Sequence, residues 1–288
     1  MFLQLVVSGL AAGGIYALLA LALVVVYKSS SVLNFAQGEM AMVSAFVAFS
    51  LLTRWHVPLT VVLPLVLLFG AALGFLVERV LLRPLAAGDA LPIVVITLGA
   101  NLVLHNTAGW LWGVDYKDFP QFLPIRPLVL WGLVVSQQHL LLMAIVLALA
   151  LALGVFFKTT RVGMAMRAAA QDPETARLQG VGPGVTIAAS WAISGALGGL
   201  SAVLVAPIVN LYPDMMEDVM VFGFAAAILG GLTSLPGAVI GGFVIGVLEN
   251  VAGVYLGGEW KGVLAFVVIV ALLCLRPAGL LGEAEPAR

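Results

Sequence analysis

From Leu5 to Leu275 the chain is a succession of long apolar stretches broken by short polar segments, and this pattern restricts the fold more than any motif does. Apolar residues make up 62% of its 288 positions and charged residues only 9%. A soluble domain carries about 25% charged residues. Folded in water, this chain would leave much apolar surface wet. A bilayer removes that difficulty if every backbone polar group bonds within the chain, which helices achieve segment by segment. The pattern therefore predicts an all-α, polytopic transmembrane helix bundle. A crossing takes roughly 20 mostly apolar residues. The candidate stretches are Leu5–Tyr27, Ala36–Leu52, Leu59–Leu82, Leu91–Trp112, His139–Phe157, Val185–Val209, Val219–Leu232, Gly237–Leu256 and Val263–Leu275. About eight or nine spans are expected, because Val219–Leu232 is short enough to be a re-entrant or broken helix. Residues 1–288 read as one transmembrane domain.

Orientation follows from the basic residues. A secretory signal places positive charge before its apolar stretch. Here the first positive residue, Lys28, comes after it. Leu5–Val26 thus reads as a retained helix with its N-terminus outside. In that orientation the inner side holds nine basic residues: Lys28, Arg79, Arg83, Lys158, Arg161, Arg167, Arg177, Arg276 and Arg288. The outer side holds four, namely Arg54, Lys117, Arg126 and Lys261. Inner loops carry the excess of Lys and Arg in membrane proteins, so nine against four supports this topology, with a cytoplasmic C-terminus.

Two connections are long. The outer one, Gly113–Gln138, contains Pro120, Pro124 and Pro127 and is expected to be irregular or capped by short helices. The inner one, 158–184, holds a helix signature. Asp172 suits an N-cap, Pro173 the first helical position, and Gly180 the residue just past the end. A short helix over Pro173–Gln179 is predicted, with Glu174, Thr175, Arg177 and Gln179 as its polar positions and Ala176 with Leu178 as its apolar face. It suits either docking on a soluble partner or plain connection.

Glycines four apart occur as Gly9/Gly13, Gly70/Gly74, Gly195/Gly199, Gly237/Gly241 and Gly242/Gly246. That spacing places both on one helix face, where backbones approach closely. It argues for tight packing and says nothing about a substrate. Gln37-Gly38 and Pro236-Gly237 each open a small-residue helix after a polar break, a faint sign of two related halves. Cys274, the single cysteine, reads as a small core residue.

Ionisable and polar side chains at membrane depth are candidates for function. Glu39 is expected in the first turn of the second span, at the cytoplasmic boundary. There it either caps the helix start or serves as a polar group at the inner mouth of a pathway. Glu249 and Asn250 fall toward the outer part of the eighth span, lining a pathway or reaching the interface. Asn101, His105 and Asn106 lie in the fourth, with Asn101 and His105 on one face, where bonding between helices is the simpler role.

Several activities lack their residues. The chain has no G-x-x-x-x-G-K-[ST] loop for ATP phosphates, no H-E-x-x-H or Cys/His cluster for a metal, and no G-x-S-x-G elbow. Its net charge of −1 gives no basic excess for nucleic acid. Solute moved uphill would draw its energy from an ion gradient or from another subunit.

Four segments together resemble one family. They are Tyr16-Ala17-Leu18 … Val32-Leu33-Asn34-Phe35-Ala36-Gln37-Gly38-Glu39, the loop Arg167-Ala168-Ala169-Ala170-Gln171-Asp172 … Gly180-Val181, the element Leu229-Gly230-Gly231-Leu232-Thr233-Ser234-Leu235-Pro236-Gly237-Ala238, and the ending Arg276-Pro277-Ala278-Gly279-Leu280-Leu281-Gly282. In this order they resemble the permeases of branched-chain amino-acid ABC importers, of the leucine/isoleucine/valine type, and more precisely the first of their two permease subunits. Gln37 stands where the family typically has His, and Thr233 where Gly is common.

The resemblance implies a multi-pass protein of the bacterial inner (plasma) membrane that passes a branched-chain or other small apolar amino acid by alternating access. It implies no catalysis and no cofactor in this chain. ATP and Mg belong to two cytoplasmic ATPase subunits. A second permease subunit completes the pathway, and an external solute-binding protein delivers substrate. The coupling segment would comprise Arg167, Asp172, Pro173, Glu174, Ala176, Arg177, Leu178 and Gly180. Candidate pathway residues are Asn34, Gln37, Glu39, Asn101, Glu249 and Asn250. Two alternatives stand beside this reading: an ion-coupled carrier that uses Glu39 or Glu249, and an ABC permease for urea, amides or other small acids.

Overall fold

The structure, a computed structural model, describes residues 2–85, 90–121, 127–130, 133–276 and 278–282. Pro124, Arg126, Pro277 and Arg288, used above, lie outside the described residues. Helices dominate, as expected: α1 (Phe2–Ser30), α2 (Gln37–Thr53), α3 (Leu59–Leu76), α4 (Ala90–Trp112), α5 (Gln137–Thr159), α6 (Arg161–Gln171), α7 (Pro173–Leu178), α8 (Pro183–Val209), α9 (Glu217–Gly230), α10 (Leu235–Tyr255) and α11 (Trp260–Leu275). Winding continues past α3 as a π-helical turn, Val77–Leu82. Among the described residues, six helical segments are long and apolar enough to cross a membrane. The apolar helices α2 and α11 are shorter, at 17 and 16 residues. At 14 residues, α9 spans about 21 Å, short of the roughly 30 Å hydrocarbon core. This is the helix predicted to be short or broken.

The chain clusters into two compact units. The first comprises Met1–Val24, Gln121–Ala152 and Asp218–Arg288, and the second Val25–Pro120 and Leu153–Glu217. In the first unit α1 lies against α10 through glycine. A Cβ added at Gly13 would sit 2.7 Å from the Gly242 carbonyl oxygen, and one at Gly9 would sit 2.6 Å from the Val247 Cα. The spaced glycines of one helix thus face those of another. After α9 the chain turns at Gly231, whose φ of 103° suits glycine. The C-terminal turn bonds back there: Leu280 N donates to Leu229 O at 2.8 Å and Leu281 N to Gly230 O at 3.0 Å. Two of the recognised segments, 229–238 and 276–282, are therefore one structural element.

In the second unit α3 packs along α8, and α2 packs against both and against α4. Gly70 and Gly74 meet the backbone of Gly195 and Trp191. Trp191 is fully buried among Val26, Ala36, Met40, Val77, Leu82 and Ala100.

Four expectations change. Cys274, expected as a small core residue, is exposed. The connection Gly113–Gln138 carries no capping helix among the described residues. It holds an antiparallel hairpin, Pro127–Leu130 with Leu133–Ser136, because this Val- and Leu-rich run satisfies its backbone by pairing. The inner connection has two helices where one was expected. The added α6 starts at Thr160, whose hydroxyl accepts from Gly163 N at 3.0 Å, and it buries Gly163, Met166 and Ala169 at helical spacing. In α7, Ala176 is buried but Leu178 is 89% exposed. Residues two apart point about 200° apart around a helix and share no face.

Candidate functional site

The start of α2 carries a network of buried polar groups. The chain leaves α1 at Ser30 and re-enters helix at Gln37, so residues 31–36 are irregular backbone, buried at Val32, Asn34 and Ala36. Buried backbone of this kind needs bonding partners. Asn34 supplies one, its Oδ1 accepting from Ala36 N at 3.0 Å. Its amide donates to Gln37 Oε1 at 3.0 Å. Gln37 then reaches α8: Nε2 donates to Ser194 O at 3.1 Å, and Oε1 accepts from the Ser194 hydroxyl at 2.9 Å. From α4, the Asn101 amide donates to Phe35 O at 3.4 Å. Three of the expected pathway residues, Asn34, Gln37 and Asn101, thus bond around this broken segment.

Glu39 lies in the first turn of α2. Its carboxylate faces His105, whose Nδ1 is 3.4 Å from Glu39 Oε2. His105 follows the first residue of α4 by 15 positions, about 22 Å along the axis, so Glu39 meets α4 far from that helix's start. The other imidazole nitrogen, Nε2, is 3.5 Å from Asp214 Oδ1. Asp214 sits in a 3₁₀ turn, Pro213–Met216, between α8 and α9. This turn packs on α2 and α4 through buried Pro213, Met215 and Met216. The prediction that Asn101 and His105 share a face holds, since both meet the start of α2. Asp214 gave no sign in the sequence beyond being an acidic residue in a loop.

Glu249 and Asn250 serve the first unit. Glu249 is buried in α10, accepting from the Tyr16 hydroxyl at 2.6 Å and the Lys261 ammonium at 2.9 Å. Asn250 donates to Leu5 O at 3.1 Å. Glu249 therefore ties α10 to α1 and α11, and Asn250 ties it to α1. Tyr16 and Lys261 were not anticipated as partners of Glu249.

In the inner connection, Asp172 caps α7: Oδ1 accepts from Thr175 N at 3.1 Å, and Oδ2 accepts from the Thr175 hydroxyl. Gly180 closes it with φ of 83°. Arg177 is exposed, as is Arg167, which borders a shallow cleft with Lys28, Phe157 and Met166. Pro173 begins α7 and Glu174 follows in its first turn.

Comparison with known proteins fits this architecture. Residues 5–273 match the family described as "Branched-chain amino acid transport system / permease component". The high-affinity branched-chain amino acid transport system permease protein BraD of Pseudomonas aeruginosa is 32% identical, covering 99% of this chain and 97% of that protein. LivH of Escherichia coli, which bears the same description, is 30% identical over 99% and 96%. A probable branched-chain amino acid transport permease protein LivH of Methanocaldococcus jannaschii is 28% identical over 92% and 88%. The solved structure of PsaBC from Streptococcus pneumoniae in complex with Fab shares the fold, with a TM-score of 0.51 over 96% of this chain and 93% of that one at 13% identity. With six membrane-length apolar helices and a family match over nearly its whole length, this multi-pass membrane chain belongs to the branched-chain amino acid transport system permease family.

Proposed function

We propose that this chain is a permease subunit of an ATP-driven importer and that it passes branched-chain or other small apolar amino acids by alternating access. The observation that carries this reading is the near full-length similarity to permeases described as serving branched-chain amino acid transport. The chain itself has no loop for ATP phosphates, so the energy would come from two cytoplasmic ATPase subunits that hold ATP and Mg. A second permease subunit would complete the pathway, and an external solute-binding protein would deliver substrate. In this reading the chain is no enzyme and holds no cofactor.

The N-terminus lies outside and the C-terminus in the cytoplasm. This places α6 and α7 inside, with Arg167, Arg177, Leu178 and Gly180 exposed toward the ATPases. Asp172 and Pro173 set the helix start, Glu174 lies in its first turn, and Ala176 anchors it. The pathway would run past the broken segment at Asn34–Glu39 and Asn101, with Glu249 and Asn250 holding the helices of the first unit in place. A polar, irregular backbone at membrane depth is tolerated where it is buried in protein or lines a cavity.

The test is uptake of labelled leucine into liposomes carrying the complex of this chain with its second permease and ATPases, the solute-binding protein added outside. Uptake should need ATP inside and should survive an uncoupler. Uptake that needs no ATP and collapses with the uncoupler would favour the ion-coupled carrier. Leucine ignored while urea or a short amide is transported would move the substrate to that class.

A further inference from the structure

The Glu39–His105–Asp214 cluster has features that interhelical bonding alone does not explain. Its three groups are graded in exposure: the side chain of Asp214 is 53% exposed, that of His105 31% and that of Glu39 7%. Glu39 Oε2 is buried without a hydrogen-bond partner. At 3.4 and 3.5 Å, both imidazole contacts exceed the usual 2.7–3.2 Å for N–H···O bonds. His105 therefore stands between the carboxylates without a short hydrogen bond to either. Among the described residues, the charged groups acting on Glu39 are His105, Asp214 and Glu217, with no Lys or Arg. Three carboxylates thus stand against one imidazole. By contrast, buried Glu249 has Lys261 at 2.9 Å. A buried acid without a fixed cation is costly, and a mobile cation relieves that cost when it arrives.

We propose that Asp214 and Glu39 form a two-step relay for the ammonium group of the transported amino acid, with His105 as the displaceable occupant between them. This rests on the transport reading above and names the part of the substrate that the site reads. The carboxylates stand an imidazole ring apart, so one ammonium meets them in turn: exposed Asp214 first, buried Glu39 second. Each contact is a charge-assisted hydrogen bond, stronger than a neutral one. Met215 and Met216, which follow Asp214 in its turn, and Met40, which follows Glu39, are buried and fix the backbone at each station. Between stations the ring swings aside, and it returns once the ammonium has passed.

The experiment compares wild type with Glu39→Gln, Glu39→Asp and Asp214→Asn in the liposome complex described above. Leucine uptake should fall at least tenfold in Glu39→Gln and at least threefold in Asp214→Asn. Glu39→Asp should restore at least a third of wild-type uptake. Assembly with the partner subunits, read by size-exclusion chromatography, should match wild type, which separates a lost substrate contact from a damaged fold. If Glu39→Gln does not assemble, Glu39→Asp and Asp214→Asn carry the same comparison. Uptake within twofold of wild type in assembled Glu39→Gln and Asp214→Asn overturns the relay while leaving the transport reading intact. ATP-independent wild-type uptake driven by sodium or protons assigns the carboxylates to a coupling ion and also overturns it. A wild-type complex that moves no branched-chain amino acid defeats the transport reading and the relay with it.

Discussion

Gly13→Ala tests whether backbone contact between α1 and α10 holds the first unit together. The added Cβ would lie 2.7 Å from both Gly242 O and Phe243 Cα, where ordinary contact begins near 3.4 Å. The helices must part by about 0.7 Å. Both obstructing atoms are backbone and have no rotamer to change, so the upper part of the usual 1–3 kcal/mol cost of overpacking applies, about 2–3 kcal/mol. Replacing glycine within a helix returns roughly 0.5–1 kcal/mol. The net loss is about 1–2.5 kcal/mol, which at roughly 2–4 °C per kcal/mol lowers the melting temperature by about 2–10 °C. Gly154→Ala in α5 is the control. Nothing lies within 4 Å of its Cβ position, so only the helix gain remains and melting should rise by up to about 4 °C. The assay is thermal unfolding of the purified chain in detergent, followed by size-exclusion chromatography. A Gly13→Ala chain that melts at or above the Gly154→Ala chain refutes the close-packing argument.

Two further outcomes follow from named bonds. Asp172→Ala removes the cap on Thr175 N and should destabilise α7 by about 1 kcal/mol, read as faster amide exchange at Ala176–Leu178 with exchange in α8 unchanged. Lys261→Met leaves buried Glu249 with only the Tyr16 hydroxyl among the described residues. This should cost about 1–3 kcal/mol, and adding Glu249→Gln should recover part of it; a double variant no more stable than Lys261→Met would contradict the pairing.

The helices were legible because their signal is local. A crossing needs about 20 apolar residues, and that requirement places each span within two or three residues of where it is found, including the short α9. The cap at Asp172 and the stop at Gly180 were equally legible, since both act within one turn. The hairpin at 127–136 was not, because three prolines in its connection obscured a Val- and Leu-rich run whose stability comes from pairing. The extra helix α6 was missed because its apolar face is three small or flexible residues, Gly163, Met166 and Ala169.

The site divides along the same line. Sequence alone determined that Glu39 is an acidic residue at a helix start in a mostly apolar chain, and that Asn101 and His105 share a face. The family followed from four local segments spaced along the whole chain. Only the tertiary structure decided that residue 39 meets residue 105, that residue 214 closes the group from a different loop, and that Glu249 meets a lysine while Glu39 meets a histidine. The reason is that the field on a carboxylate depends on groups within a few ångströms, whatever their separation along the chain. Packing of α2 against α4 and α8 brings those groups together, and helical periodicity carries no record of it.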